Sequence, residues 1–226
     1  MKRFYKAVTV EDGAILLDRR PVKTPARAAL SLPAPALAEA VAEEWRAQGD
    51  VIDPRSMPLT GLANAAIDRV AADPAGFARD LARYGESDLL CYRADGPAPL
   101  VARQAAAWDP PLAWAQARYD VHFLIATGIV HRPQPAETIR RLADAVAARD
   151  ALALAGLSPL VTVSGSLVLA LALAEGALGA DAAWAAARVD EDWQAEQWGE
   201  DSLAVAAMEG RRRDFAAAAR FLSLLG

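Results

Sequence analysis

One cysteine, two histidines and no surplus of basic residues mark this chain of 226 residues. A single thiol, Cys91, forbids an intrachain disulfide and any zinc site built on a cysteine pair. It sits between apolar flanks in DLLCYR, which reads as a buried, inert thiol. With only His122 and His131, an enzyme that pairs a nucleophile with histidine has almost no choice of base. His122 lies among apolar neighbours in YDVHFLIATG and reads as a hydrogen-bonded core side chain, whereas His131 in VHRPQP reads as a helix C-terminal or loop residue. Acids outnumber bases, for a net charge of −5 and a pI near 5.1. That balance excludes a sequence-independent grip on nucleic acid, which needs a basic stripe. There is no Walker-type glycine loop, no GxGxxG after a strand, and no HExxH, CxxC or GxSxG. These gaps weigh against an enzyme and predict neither cofactor nor metal.

The opening MKRFYKAVTVEDG has no apolar core before a cleavage site and turns acidic too soon for a transit peptide. The expectation is a cytoplasmic protein of bacterial type. One charge-free run, residues 151–174, has the length to span a bilayer. GLSP interrupts it, with Ser158 as expected N-cap and Pro159 as first helical residue. Only fifteen uncharged residues then remain before Glu175, so the reading is a helix buried on all sides rather than membrane insertion.

What is present is mostly alanine-rich, with 54% hydrophobic residues, a composition that favours helix. The first thirty residues differ. RFYKAVTV, AILLDRRPVKT and AALSLP are short β-like segments, and EDG between the first two is a hairpin signal. PALAEAVAEEWRAQG then reads as one amphipathic helix closed by Gly49. The fold class expected is α+β, with a small antiparallel β-containing domain with one helix over residues 1–56 and a larger all-helical domain over 57–226. Helix starts are expected near Pro58, Pro74, Pro110, Pro135, Pro159, Asp181 and Asp201, with Asp73 and Asp109 as N-caps. ESDLLCYRADGPAPL is expected to be extended and looped, and RRR at 211–213 to be a solvated helix face.

The stretch RVDEDWQAEQWGED, Arg188 to Asp201, packs six carboxylates around two tryptophans. On one continuous helix from Asp181 to Trp198, Trp184, Glu191 and Trp198 are seven apart and form a stripe. Trp193 lies on nearly the opposite side. Three readings stay open on residues alone. The tryptophans are core and the acids solvated; or the face binds a protein, since indoles beside a carboxylate suit an arginine-bearing partner; or two carboxylates perform acid–base work, as in glycoside hydrolysis.

The order RFYK, LDRRPVKTPA, EEWRAQGD, MPLTGLANAAIDRV, YGESDLLCYRA, WDPPLAW and DEDWQAEQWGED resembles the ATP-twelve-type assembly chaperones of the ATP synthase catalytic head, from Arg3 to about Ala206. The resemblance implies a small β-containing domain, a larger helical domain and no catalysis. It implies binding to the free alpha subunit, shielding the apolar surface that later meets the beta subunit. It implies an acidic residue of the late helix in that activity, by position Glu191, with Asp190 and Glu196 as neighbours. Trp193 and Trp198 would flank that surface. The family's eukaryotic counterparts are mitochondrial. Beside this stands an alternative from the residues, a carboxylate-dependent hydrolase using the 190–201 stretch.

Overall fold

The computed structural model describes every residue except Ile129, His131, Glu200 and Asp201, and of Ser202, Leu203 and Ala204 the backbone alone. The expected roles of His131 and Asp201 lie outside the described residues.

The chain opens with an antiparallel meander, β1 (Val8–Glu11), β2 (Ala14–Leu17) and β3 (Arg20–Pro21), in sheet order β1-β2-β3. Val8 pairs with Leu17 and Glu11 with Ala14. The turn between them is Asp12–Gly13, both at positive φ, the conformation that matches strand twist in a two-residue hairpin. Gly13 also answers a close approach. A Cβ there would stand 2.3 Å from the Leu32 carbonyl oxygen, and the Leu32 N–H donates to the Gly13 carbonyl at 2.9 Å. The next turn, Asp18–Arg19, has positive φ without glycine. The Asp18 carboxylate offsets this strain by accepting the N–H groups of Ala7 at 2.8 Å and Lys6 at 3.1 Å, which also hold its pKa below the usual range.

Helix α1 (Pro35–Arg46) buries Leu37, Ala38, Val41 and Ala42 against this sheet. It stops at Ala47, two residues before the Gly49 expected to close it. The buried Gln48 side chain explains why. Its Nε2 donates to the Glu44 carbonyl and to Ser56 Oγ, both at 3.0 Å, and its Oε1 accepts the Asp53 N–H at 2.7 Å. One amide thus folds the connector back without a left-handed glycine. Helix α2 (Pro58–Ala65) has no cap of its own. Glu44 of α1 caps it, accepting the N–H groups of Leu59 (2.8 Å) and Thr60 (2.7 Å) and the Thr60 hydroxyl. A wider π-type turn, Ala66–Val70, follows. From it Asp68 accepts from Thr24 Oγ1 (2.5 Å) and the Ala26 N–H (2.9 Å), tying this turn to the meander.

Helix α3 (Pro74–Ala82) starts as expected on the Asp73 cap. The stretch after it forms two 3-10 turns, Arg83–Ser87 and Leu89–Cys91, and then β4 (Tyr92–Arg93). β4 pairs in parallel with β5 (Ala126–Thr127). This two-stranded ladder is an addition to the expected all-helical region. Its register joins residues more than thirty positions apart, which no local pattern announces. The helices are α4 (Ala98–Tyr119), α5 (Ala136–Ala147), α6 (Ala151–Ser164), α7 (Leu167–Ala174), α8 (Ala180–Ala187), α9 (Val189–Trp198) and α10 (Ser202–Ser223).

Two expected helix starts are corrected. Pro110 and Pro111 lie inside α4. Asp109, expected as an N-cap, instead pairs with Arg93 at 2.7 Å. α6 begins at Ala151, where Asp150 accepts the Ala153 N–H at 2.8 Å, so Ser158 is not a cap and Pro159 is internal. The charge-free run is broken instead at Gly165, whose φ of 68° ends α6, and Ser166 caps α7 through the Leu169 N–H at 3.0 Å. Leu167 to Ala172 are all buried. Among the described residues no helix is long and apolar enough to cross a membrane.

Two apolar clusters result. The larger gathers Trp108, Leu142, Leu157, Leu160 and most of α7. The smaller gathers Ile15, Leu30, Leu32, Leu37 and Val41, and draws in Met57 just before α2, Leu59 and Ala63 from α2 and Phe221 from α10.

Candidate functional site

Arg188 separates two helices where the sequence predicts one. At φ −115° and ψ 11° it leaves the helical region, so α8 ends at Ala187 and α9 begins at Val189. The break undoes the seven-residue stripe. Trp184, on α8, is half-buried with its ring 5.5 Å from Phe215 of α10, and the Arg188 guanidinium lies 5.6 Å from its centroid. Arg188 also pairs with Asp192 at 2.9 Å. Gly199, at φ 85°, ends α9 as expected.

One side of α9 is committed to α4. Gln104 Nε2 donates to Asp190 Oδ1 at 2.7 Å. Arg103 grips Glu196 with both terminal nitrogens, at 2.8 and 2.9 Å, and this contact holds the Glu196 carboxyl below its usual range. The same guanidinium lies 5.2 Å from the centroid of the half-buried Trp193, a cation–π contact worth about 0.5–1 kcal/mol at an exposed site. Beneath them Trp108, fully buried, donates its indole N–H to the Ala186 carbonyl at 2.7 Å and fixes α8 on α4. Asp190 and Glu196 therefore spend their carboxylates on α4, and Trp193 spends a face of its ring there.

The other side is unspent. Glu191 is exposed and has no partner among the described residues. Trp198 is 78% exposed, the largest side chain left in water. Together they line a groove of about 460 Å³ between α9 and α10. Arg188, Gln194, Ala195 and Gly199 complete one side of it, and Val205, Ala207, Met208 and Arg211 form the other. Of the five predicted site residues, the structure brings Glu191 and Trp198 together here and turns Asp190, Trp193 and Glu196 toward α4. Met208 and Arg211 were not anticipated. Their three-residue spacing puts them on one helix face, a signal hidden by reading the arginine triplet as merely solvated. It is solvated: Arg211, Arg212 and Arg213 are all exposed.

A carboxylate hydrolase needs two carboxyl groups facing across a pocket. Among its described lining residues the groove presents Glu191 alone. The two other early candidates are explained by packing. Cys91 is buried, and burial together with the Asp88 charge pushes its thiol up to about 12. His122 is exposed rather than in the core. Its backbone is what is held, with the N–H donating to Thr138 Oγ1 at 3.1 Å and the carbonyl accepting that hydroxyl at 2.8 Å. Strand-like alternation puts Val121 and Phe123 inward and His122 outward. Among the described residues no three His, Cys, Asp or Glu side chains gather as a metal site.

A second depression, of about 540 Å³, collects Arg118, Arg141 and Arg149 where α4, α5 and α7 all end. Cations are favoured at helix C-termini. Glu175 is the counter-charge of two of them, accepting from Arg118 (2.7 Å) and Arg149 (3.1 Å) as well as from Tyr119 Oη (2.6 Å), while Arg141 pairs with Glu137 and Asp120. This is a helix-end clamp.

A family model described as ATP12 chaperone protein matches residues 2–116. Two crystal structures of the Atp12 protein from Paracoccus denitrificans, one of them a mutant, are each 42% identical with a TM-score of 0.94. They match over 100% of this chain and 98% of theirs. A protein from Agrobacterium tumefaciens is 45% identical with a TM-score of 0.95, over 100% of this chain and 86% of its own.

Proposed function

The chain belongs to the ATP12 chaperone family, and we propose that it binds the free alpha subunit of the ATP synthase catalytic head. In this reading it masks the inter-subunit surface of that subunit until the beta subunit displaces it. An unassembled subunit of an obligate complex exposes a large apolar interface. Covering it needs a complementary face and a displacing partner, not a nucleotide site. We place this activity in the bacterial cytoplasm and assign it neither catalysis nor cofactor.

The observation that carries the reading is Trp198, left 78% exposed beside Glu191, which has no partner among the described residues. Burying an indole on binding gives a large apolar gain, and tryptophan is enriched among residues that dominate interfaces. A carboxylate next to it selects a cation on the partner. The test is co-purification with the alpha subunit expressed alone, comparing the native chain with Glu191→Lys. The native chain is expected to keep the subunit soluble, and the variant to lose capture by about tenfold or more. The melting midpoint of the variant should fall by no more than a few degrees, because Glu191 has no partner among the described residues and contributes only as one acid of the first turn of α9. Equal capture by both would remove Glu191 from the interface.

A further inference from the structure

Resting on that reading, we infer that the groove between α9 and α10 docks one amphipathic helix of the client, and that Arg211 is its second selecting charge. The walls carry opposite unspent charges. Glu191 stands on α9 and Arg211 on α10, both exposed and without a partner among the described residues. Between them lie Ala195, Val205 and Met208, each half-buried. Arg188, also in the lining, is already held by Asp192 and stacked on Trp184. It is spent, which leaves Arg211 as the available cation.

The walls decide the occupant. Both are helices, whose backbone N–H and C=O groups are bonded internally, so they offer no ladder to an extended strand. A helix brings its own backbone satisfied and needs only a row of apolar side chains to enter an interhelical groove. About 460 Å³ holds such a row rather than a folded domain. The client helix therefore carries apolar residues along one stripe, a cation to meet Glu191 and a carboxylate to meet Arg211. Methionine suits the floor, because its flexible thioether fits itself to the incoming side chains.

The experiment measures alpha-subunit capture by the native chain, Arg211→Glu, Met208→Arg and the charge-swapped pair Glu191→Lys with Arg211→Glu, each with a melting curve. Arg211→Glu is expected to weaken capture about tenfold or more at an unchanged midpoint. Met208→Arg, which fills the groove, should abolish it. The swapped pair should be no better than either single change, since the client keeps its own polarity. Native-like capture by both Arg211→Glu and Met208→Arg, alongside strong capture by the native chain, overturns the dock and leaves the chaperone reading intact. No capture by the native chain overturns that reading, and the dock with it. Should a variant melt early, Met208→Cys carrying a photo-crosslinker decides: adducts on the alpha subunit support the dock, and their absence from a captured complex overturns it. A dimer of the isolated native chain, lost on Met208→Arg, would assign the groove to a second copy and also overturn it.

Discussion

Asp88 is sealed from solvent at the N-terminus of α7, accepting the N–H groups of Val168 at 2.9 Å and Leu90 at 3.1 Å. Burial outweighs these donors and pushes its carboxyl up to about 6. The folded chain therefore holds this proton more tightly than the unfolded chain, whose aspartates titrate near 3.9. The stabilisation is present in full below about 3.9 and is lost as pH rises through about 6. We expect urea midpoints to carry a falling component between those values, and Asp88→Asn to remove that component while weakening the α7 cap. An identical slope in the variant would assign it elsewhere. Single side chains also show the limit of reading by period. Helical spacing put Trp193 and Trp198 on different sides, as found. Which of them is spent depends on Arg103, ninety positions earlier in sequence, and no local pattern carries that.

Most helices announce themselves through caps: Asp73 before α3, Gly199 after α9, and the prolines near α2 and α5. The same grammar misleads at Asp109–Pro110 and Ser158–Pro159. There tertiary packing overrides it, because Trp108, Pro111, Leu112 and Ala115 gain burial only if α4 runs straight through. Pro110 is exposed and has no N–H to give to the helix ladder. Pro110→Ala should raise stability by about 1–2 kcal/mol, the helix gain being reduced by the looser unfolded chain. A lower melting midpoint would mean that the proline shapes α4. The α8–α9 break at Arg188 was illegible for the converse reason. Alanines and acids on either side favour continuation, and the turn is fixed by packing against α4 and α10.

For the molecule as a whole, the α+β class and the order of its parts were readable from the switch in hydrophobic period after residue 34. The division at 56/57 is a proposal about folding units. Against full independence stands Phe221, fully buried and packed with Ile15, Leu37 and Val41 in the N-terminal cluster. Phe221→Ala should cost about 3–5 kcal/mol, in one cooperative transition followed both by Trp45 near the sheet and by Trp108 in the helical cluster. Two separated transitions would make residues 1–56 a unit of their own.

That phenylalanine also sets a timetable. Ile15 and Phe221 are neighbours in one core but lie 206 positions apart in the order of synthesis. A ribosome adding about 5–20 residues per second separates them by roughly 10–40 s. During that interval the core over the earliest-made strands lacks this ring. A member of a chaperone family must itself first carry an unfinished surface.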